Sequence, residues 1–297
     1  MTSRYLDPKI DLAFKRVFGE HANLLKSFLN ALLPLPDDGL IESLEYLAAE
    51  QAPEIPGLLK NSIVDVKCKD SQGRTFIVEM QMLWTPSFEN RIVFGASQAY
   101  VKQLKAGHRY AELQPVYALA LLNDVFDRIT PEYYHHYKIV NTTNPEETLK
   151  GLEFVFIELP KFKPENSAAR KMQVLWLRFL SEVGQDNREL DAKMKADAAT
   201  EADIADALEL VEVAAFTEEE LNWYQASMDR VRVEWAYRED AEAVGEARGL
   251  AKGKAEGIAE GQAQLVRTMS AKGMQAEQIS QMTQLPVHVV LQMLSSL

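Results

Sequence analysis

The 297-residue chain has one cysteine and only five histidines. Cys68 alone cannot close an internal disulfide, and so few scattered Cys and His exclude a four-ligand structural zinc site. No run of 18 apolar residues occurs, so no membrane-spanning helix is expected. The opening residues, Met1 to Pro8, lack the apolar core of a secretory signal. A cytoplasmic protein with a reduced thiol is the expectation. With 14 Gly and 12 Pro, the chain is neither collagen-like nor a low-complexity tract. Positive net charge is lacking too: 32 Lys and Arg face 44 Asp and Glu, giving −12. A uniformly acidic surface would repel phosphate.

The acidity is not uniform. Residues 186–242 hold seventeen acids and six bases, a net −11, and the rest of the chain sums to −1. A near-neutral remainder can still carry a local basic groove.

The composition is otherwise that of a globular protein, 47% apolar and 26% charged. Asp7 and Pro8 suit a helix start, and Ile10, Ala13, Phe14, Val17 and Phe18 follow at helical spacing up to Gly19. A second helix is read over 21–33, stopped by Pro34 and Pro36. Strands are read at about 40–48, 62–69 and 74–82, then a helix over 87–106. The apolar run 115–122 reads as a buried strand of a mixed or parallel sheet. Strands at about 137–141 and 152–159 complete an ααβββαβββ order ending near 160. Beyond it the pattern is helical: 167–183, 189–198, 200–214 and 217–244.

The residues that carry chemistry lie in the second and third strands. Asp65 interrupts Ile63-Val64-x-Val66, and Glu79 interrupts Phe76-Ile77-Val78-x-Met80, with Gln81 two residues on. A carboxylate inside an apolar strand is costly unless paired, hydrogen-bonded or metal-bound. The turn-rich Asp70-Ser-Gln-Gly73 makes the two strands a hairpin. A loop over 70–74 sets 65 opposite 79, whereas a loop one residue shorter puts the carboxylates on opposite faces. If they converge, they form a hard oxygen site for Mg²⁺ or Mn²⁺. The plainer alternative is a solvated strand face with Asp65 paired to Lys67 or Lys69.

On the helix 87–106, Arg91, Gln98, Lys102 and Lys105 fall on one face, a stripe suited to phosphate contacts or simply to solvent. Lys69 and Arg74 are further phosphate-contact candidates. Tyr133-Tyr-His-His-Tyr137 could stack bases, although a loop leading into a core strand is the simpler account.

Taken in order, Asp11-x-x-Phe14-Lys15-x-x-Phe18-Gly19, Phe28-Leu29-Asn30, Asp65-Val66, Glu79-Met80-Gln81, Arg91 and Ile157-Glu158-Leu159-Pro160-Lys161 resemble the Rpn group, the PD-(D/E)XK nuclease family transposases. The resemblance covers about 5–161. It implies an α/β, restriction-endonuclease-like core, a mixed sheet flanked by helices, followed by an all-helical C-terminal region. It further implies a metal-dependent DNA endonuclease linked to recombination or mobile elements. The cofactor would be Mg²⁺, or another divalent cation such as Mn²⁺ or Ca²⁺, and DNA the partner.

By position, Asp65 matches the metal-binding Asp and Glu79 the acid of the E-x-K element. Gln81 stands where most nucleases of this fold have Lys. Gln81 would orient water but cannot offset charge, which leaves Lys67 or Lys15 to supply a cation. Asp11 is either an additional carboxylate of the site or an i,i+4 partner of Lys15. Arg91, Gln98 and Lys102 would seat the DNA backbone beside them. The rival reading is a catalytically weak nuclease-like fold serving as a DNA-binding or assembly module.

The expected organisation is a nuclease-like domain over 1–161, an acidic helical region over 162–244, a Gly-x-x-x-Gly helix or linker over 245–262 and a helix-turn-helix-like tail over 263–297. The linker segment has glycine at 245, 249, 253, 257 and 261. Each glycine weakens a helix unless close packing compensates, so a homo-oligomer through the C-terminal helices is a further expectation.

Overall fold

Apolar spacing and turn chemistry set the elements of the N-terminal half. A computed structural model describes residues 4–47, 64–104, 107, 109–164, 170–185 and 192–295. Helix α1 (Asp11–Phe14) widens into a π turn at Lys15–Gly19. Its N-cap is Ile10, not Asp7. Asp7 is buried instead, accepting from the Lys9 amide at 2.9 Å and from its ammonium at 2.8 Å. Helix α2 (Ala22–Leu32) buries Leu24, Leu25, Phe28, Leu29 and Leu32, the stripe its sequence spacing prescribes.

Strands β1 (Leu44–Tyr46), β2 (Val64–Asp70) and β3 (Thr75–Gln81) follow, then helix α3 (Pro86–Val101) and strands β4 (Val116–Leu122), β5 (Tyr134–Asn141) and β6 (Asn144–Glu158). They form one sheet in the order β1-β2-β3-β4-β6-β5. The β3–β4 and β4–β6 pairs are parallel and the others antiparallel. The mixed sheet expected from the apolar run at 115–122 is thus present. The last two strands are longer than their apolar cores suggest, because exposed residues on both sides of the connecting turn continue the ladder.

The sheet has two covered faces. On one, Val66, Cys68, Phe76, Val78, Met80, Leu119 and Leu121 pack against α1, the π turn and α2. On the other, Ile77, Ala118, Ala120, Leu122 and Phe156 meet Phe88, Ile92, Ala96 and Ala99 of α3. Alanines on both sides of that contact let helix and sheet approach closely.

Beyond Glu158 come α4 (Lys171–Glu182), α5 (Ala192–Ala198) and α6 (Ala202–Leu210). These helices do not stand apart from the expected 1–161 domain. Trp176 of α4 meets Phe18 at 5.5 Å and Phe28 at 5.6 Å between ring centroids. Ile204 and Ala207 of α6 lie in the same core. The first compact unit runs to Val231 and the second spans Arg232–Leu297.

Helix α7 (Glu218–Ala271) is continuous through the glycine run, where a linker was the alternative. Helices α8 (Ala276–Thr283) and α9 (Val287–Ser295) close a small core of Val266, Ile279 and Val290. Gln284, in the left-handed conformation, ends α8 ahead of Pro286. Among the described residues no helix is long and apolar enough to cross a membrane.

Candidate active site

The hairpin turn decides the register on which the site depends. Asp70 Oδ1 accepts from the amides of Gln72 at 3.0 Å and Arg74 at 2.9 Å. Gly73 takes φ +83, which glycine adopts without a Cβ clash. The loop therefore spans 70–74, Lys69 pairs with Thr75, and Asp65 falls directly opposite Glu79. Of the two registers open to the sequence, this is the one that puts both positions on one sheet face. That face is the α3 side, since Val66, Val78 and Met80 alternate onto the other.

Glu79 and Gln81 sit near the carboxyl end of β3, beside the ends of the parallel strands β4 and β6. Crevices at such strand ends are the usual ligand sites of α/β sheets. Glu79 is only 6% exposed. Its carboxylate lies 3.8 Å from the Arg91 guanidinium. Arg91 donates to Gln81 Oε1 at 2.8 Å, and Gln81 Nε2 donates to the Leu83 carbonyl at 2.7 Å. The Arg91 guanidinium lies over the Phe88 ring, 4.9 Å from its centroid. Arg91 was expected on a stripe of α3 suited to phosphate contacts beside the site or to solvent, and its partly exposed side chain turns to the strand carboxylate.

The walls around this group are held by two more buried carboxylates. Asp124, just past β4, accepts from the Trp84 amide at 2.8 Å. Trp84 stacks on Phe126 at 4.8 Å. Glu158, fully buried at the end of β6, accepts from the Phe126 and Asp127 amides at 2.6 and 3.0 Å. It also meets His135 at 3.1 Å and the Lys161 ammonium at 2.5 Å. Glu158 belongs to the Ile157–Lys161 motif of the resemblance, which gives it no structural role, and Asp124 has only a faint signal in the sequence, an Asp just after a buried strand.

Among the other expected residues, Asp11 pairs with Lys15 at 3.0 Å on α1 and its π turn, and Ala13 and Phe14 of α1 pack with the sheet face opposite to that of Glu79. Lys67 lies on β2 opposite Ile77. Gln98 and Lys102 are exposed, but α3 ends at Val101, earlier than the expected 106. The Gln103 side chain exchanges two hydrogen bonds with the Gln114 backbone, at 2.9 and 2.8 Å, and draws the chain out of the helix. Lys105 lies outside the described residues.

One phosphate-contact expectation is corrected. Arg74 is buried, binding Asp70 at 2.7 Å and the Gly39 carbonyl at 2.6 Å, so its guanidinium is committed to the hairpin turn. Lys69 stays partly exposed and pairs with the exposed Glu45 at 3.5 Å across β1 and β2. The tyrosine and histidine cluster is tied into the fold: Tyr134 donates to the Leu32 carbonyl at 2.9 Å, and His136 meets Glu153 at 2.9 Å.

A mixed sheet with an acid pair on its hairpin agrees with the comparison to known families. The model described as PD-(D/E)XK nuclease family transposase matches residues 8–240. The chain belongs to this family. The match extends well past 161, as does the core, and the six-stranded sheet with its helical layers fits the restriction-endonuclease-like architecture of PD-(D/E)XK nucleases. Neither a curated protein nor a solved structure matches the chain.

The donor set of this PD-(D/E)XK site can be tested for a metal on its chemistry. Among the described residues no group of three or more His, Cys, Asp or Glu could hold an ion. Two strand carboxylates remain, Asp65 by register and Glu79 by register and burial. One or two carboxylates, completed by water and substrate phosphate oxygens, is the usual protein share of a Mg²⁺ site. The residues fit a hard divalent cation and do not suit zinc, which takes N and S ligands.

Proposed function

We propose that the protein is a Mg²⁺-dependent DNA endonuclease acting in recombination or mobile-element biology, with Asp65 and Glu79 as the metal-holding residues. One observation carries the reading: the hairpin register sets Asp65 opposite a buried Glu79 on the α3 face, in a chain of the PD-(D/E)XK nuclease family. Mn²⁺ or Ca²⁺ could take the same oxygen donors. When bound, such an ion polarises a phosphoryl oxygen and makes water a better nucleophile.

The chain's own residues supply the rest. Glu79, held in an apolar strand, keeps its carboxylate in place without side-chain searching. Trp84, Phe88 and Phe126 form a rigid apolar wall on one side of the strand ends. Gln98 on α3 and Lys102 just past its end lie exposed and can meet the DNA backbone. In the reaction, the oxygen of water forms a new bond to phosphorus and the bond from phosphorus to one sugar oxygen breaks. The released sugar oxygen takes up a proton, so the net change is addition of one water across the phosphodiester.

The test is nicking of supercoiled plasmid by the full-length protein with Mg²⁺, alongside Asp65→Ala and Glu79→Ala. Wild type should nick, and both variants should lose at least about 10²-fold in rate. Equal nicking by all three, or none by wild type, sinks the reading in favour of a DNA-binding or assembly module. Asp11→Asn in the same assay asks whether the carboxylate paired with Lys15 takes part.

A further inference from the structure

Hydrolysis of a phosphodiester spreads negative charge over the phosphoryl oxygens in the transition state, and a preorganised cation there is worth a large part of the rate. Gln81, two residues beyond Glu79, is neutral. Lys15 is bound to Asp11 at 3.0 Å. Among the described residues, Arg91 is a cation that the structure brings to Glu79, at 3.8 Å, whereas Lys67 stands on β2 opposite Ile77.

We infer that Arg91 is the catalytic cation of this site and that Gln81 is a positioning residue that aims it, instead of an orienter of water. The inference rests on the nuclease reading above.

The carboxamide of Gln81 is used at both ends. Its Nε2 donates to the Leu83 carbonyl and its Oε1 accepts from Arg91. The opposite orientation would set N–H against N–H and carbonyl against carbonyl, so hydrogen-bond chemistry fixes the amide's sense. The Leu83 carbonyl thus orients Gln81, and Gln81 orients the guanidinium. Phe88 supports the guanidinium from its flat face, a favourable cation–π placement.

The Arg91 side chain remains 37% exposed, so a substrate can reach it. Its Nε–H is buried and makes no hydrogen bond among the described residues, so it is the partly exposed guanidinium head, not Nε, that a substrate meets. A planar guanidinium matches phosphoryl oxygens better than a single ammonium does. Arg91 reaches this place from α3, five residues after Pro86, while Glu79 and Gln81 come from β3. The site is therefore assembled across two elements, where an E-x-K strand would carry its cation itself.

Three measurements on the full-length protein test this. The first is plasmid nicking with Mg²⁺ by Arg91→Ala, Arg91→Lys and Gln81→Leu. Arg91→Ala should lower kcat about 10²- to 10³-fold with a much smaller change in KM, and Arg91→Lys should fall between it and wild type. The second adds the double variant Gln81→Leu with Arg91→Ala. It should be no slower than Arg91→Ala alone, because Gln81 acts only through Arg91. The third is Mn²⁺ binding by calorimetry without DNA. Arg91→Ala should bind several-fold more tightly, since a like charge has left the side of Glu79.

Loss of nicking together with tighter Mn²⁺ binding supports the assignment. Loss of nicking with weaker Mn²⁺ binding and a lowered Tm would mean that Arg91 merely props up the fold, and overturns it. Wild-type rates in Arg91→Ala, with Asp65→Ala and Glu79→Ala inactive, overturn it and leave the nuclease reading intact. No nicking by wild type removes the nuclease reading, and the inference with it.

Discussion

Three side chains show how burial at single residues ties this fold to pH. The Cys68 thiol is pushed up to about 12 by burial, with Asp70 adding to the effect. The Tyr46 and Tyr134 phenols are pushed up to about 12, burial again being the main cause. Tyr46 and Cys68 are direct partners across β1 and β2, and each tyrosine donates its hydroxyl proton to a helix carbonyl, of Phe18 or Leu32, at 2.9 Å. All three values exceed those of the unfolded chain, about 8.5 for Cys and 10 for Tyr. The stabilisation is therefore fully present below those values and is lost as pH rises towards 12. Urea unfolding should give a flat stability up to about pH 8.5 and a steady fall above it. Cys68→Ala should remove the first part of the fall. The same burial should leave Cys68 unreactive to iodoacetamide at pH 8 until the protein is unfolded.

At the scale of elements, α7 departs most from its propensities. Glycines at 245, 249, 253, 257 and 261 each cost about 1 kcal/mol relative to Ala in a helix, and yet the helix is continuous. A Cβ added at any of them meets nothing within 4 Å. Gly253→Ala should therefore raise the stability of the C-terminal unit by about 1 kcal/mol, read as an upward shift in the thermal melt followed at 222 nm. A drop would mean that the bare backbone is needed for a close contact, as a self-associating helix requires. Helix α9, Val287–Ser295, carries no Lys or Arg, and the tail's two cations, Arg267 and Lys272, lie before α8.

For the whole molecule, the acidic segment has a structural use that its net charge concealed. Glu212 pairs with Arg4 at 2.5 Å, Glu220 with Arg16, and Glu201 with Lys171 at 2.6 Å. Asp197 lies 3.6 Å from Arg178, which is buried. Acids of 186–242 thus meet cations of the chain's start and of α4, on the layer that carries α1 and α2. The same layer is completed by Trp176 and Phe179 against Phe18. A chain ending at Lys161 should consequently fail to fold, exposing Phe18 and Phe28. One ending at Val231 should unfold cooperatively in urea. Circular dichroism and gel filtration of the two would show the difference, and a well-folded 1–161 fragment would contradict this account of the core.

What the sequence determined by itself was local and periodic. It prescribed the apolar stripes of α1 and α2, the hairpin, the buried run at 115–122 and the ααβββαβββ order, and it singled out Asp65, Glu79 and Gln81 as candidates. Each depends on neighbours a few residues apart, where spacing and turn chemistry suffice. The tertiary structure decided what depends on contacts between distant segments. Asp70 and Gly73 chose between two registers that the sequence left open. The Gln103–Gln114 exchange ended α3 before Lys105. Burial turned Arg74 from a phosphate contact into a turn clamp, and α3 packing turned Arg91 from a surface stripe towards Glu79. The chain continues its core past residue 161 because Phe18 and Phe28 need Trp176 to exclude water, a requirement no local pattern records.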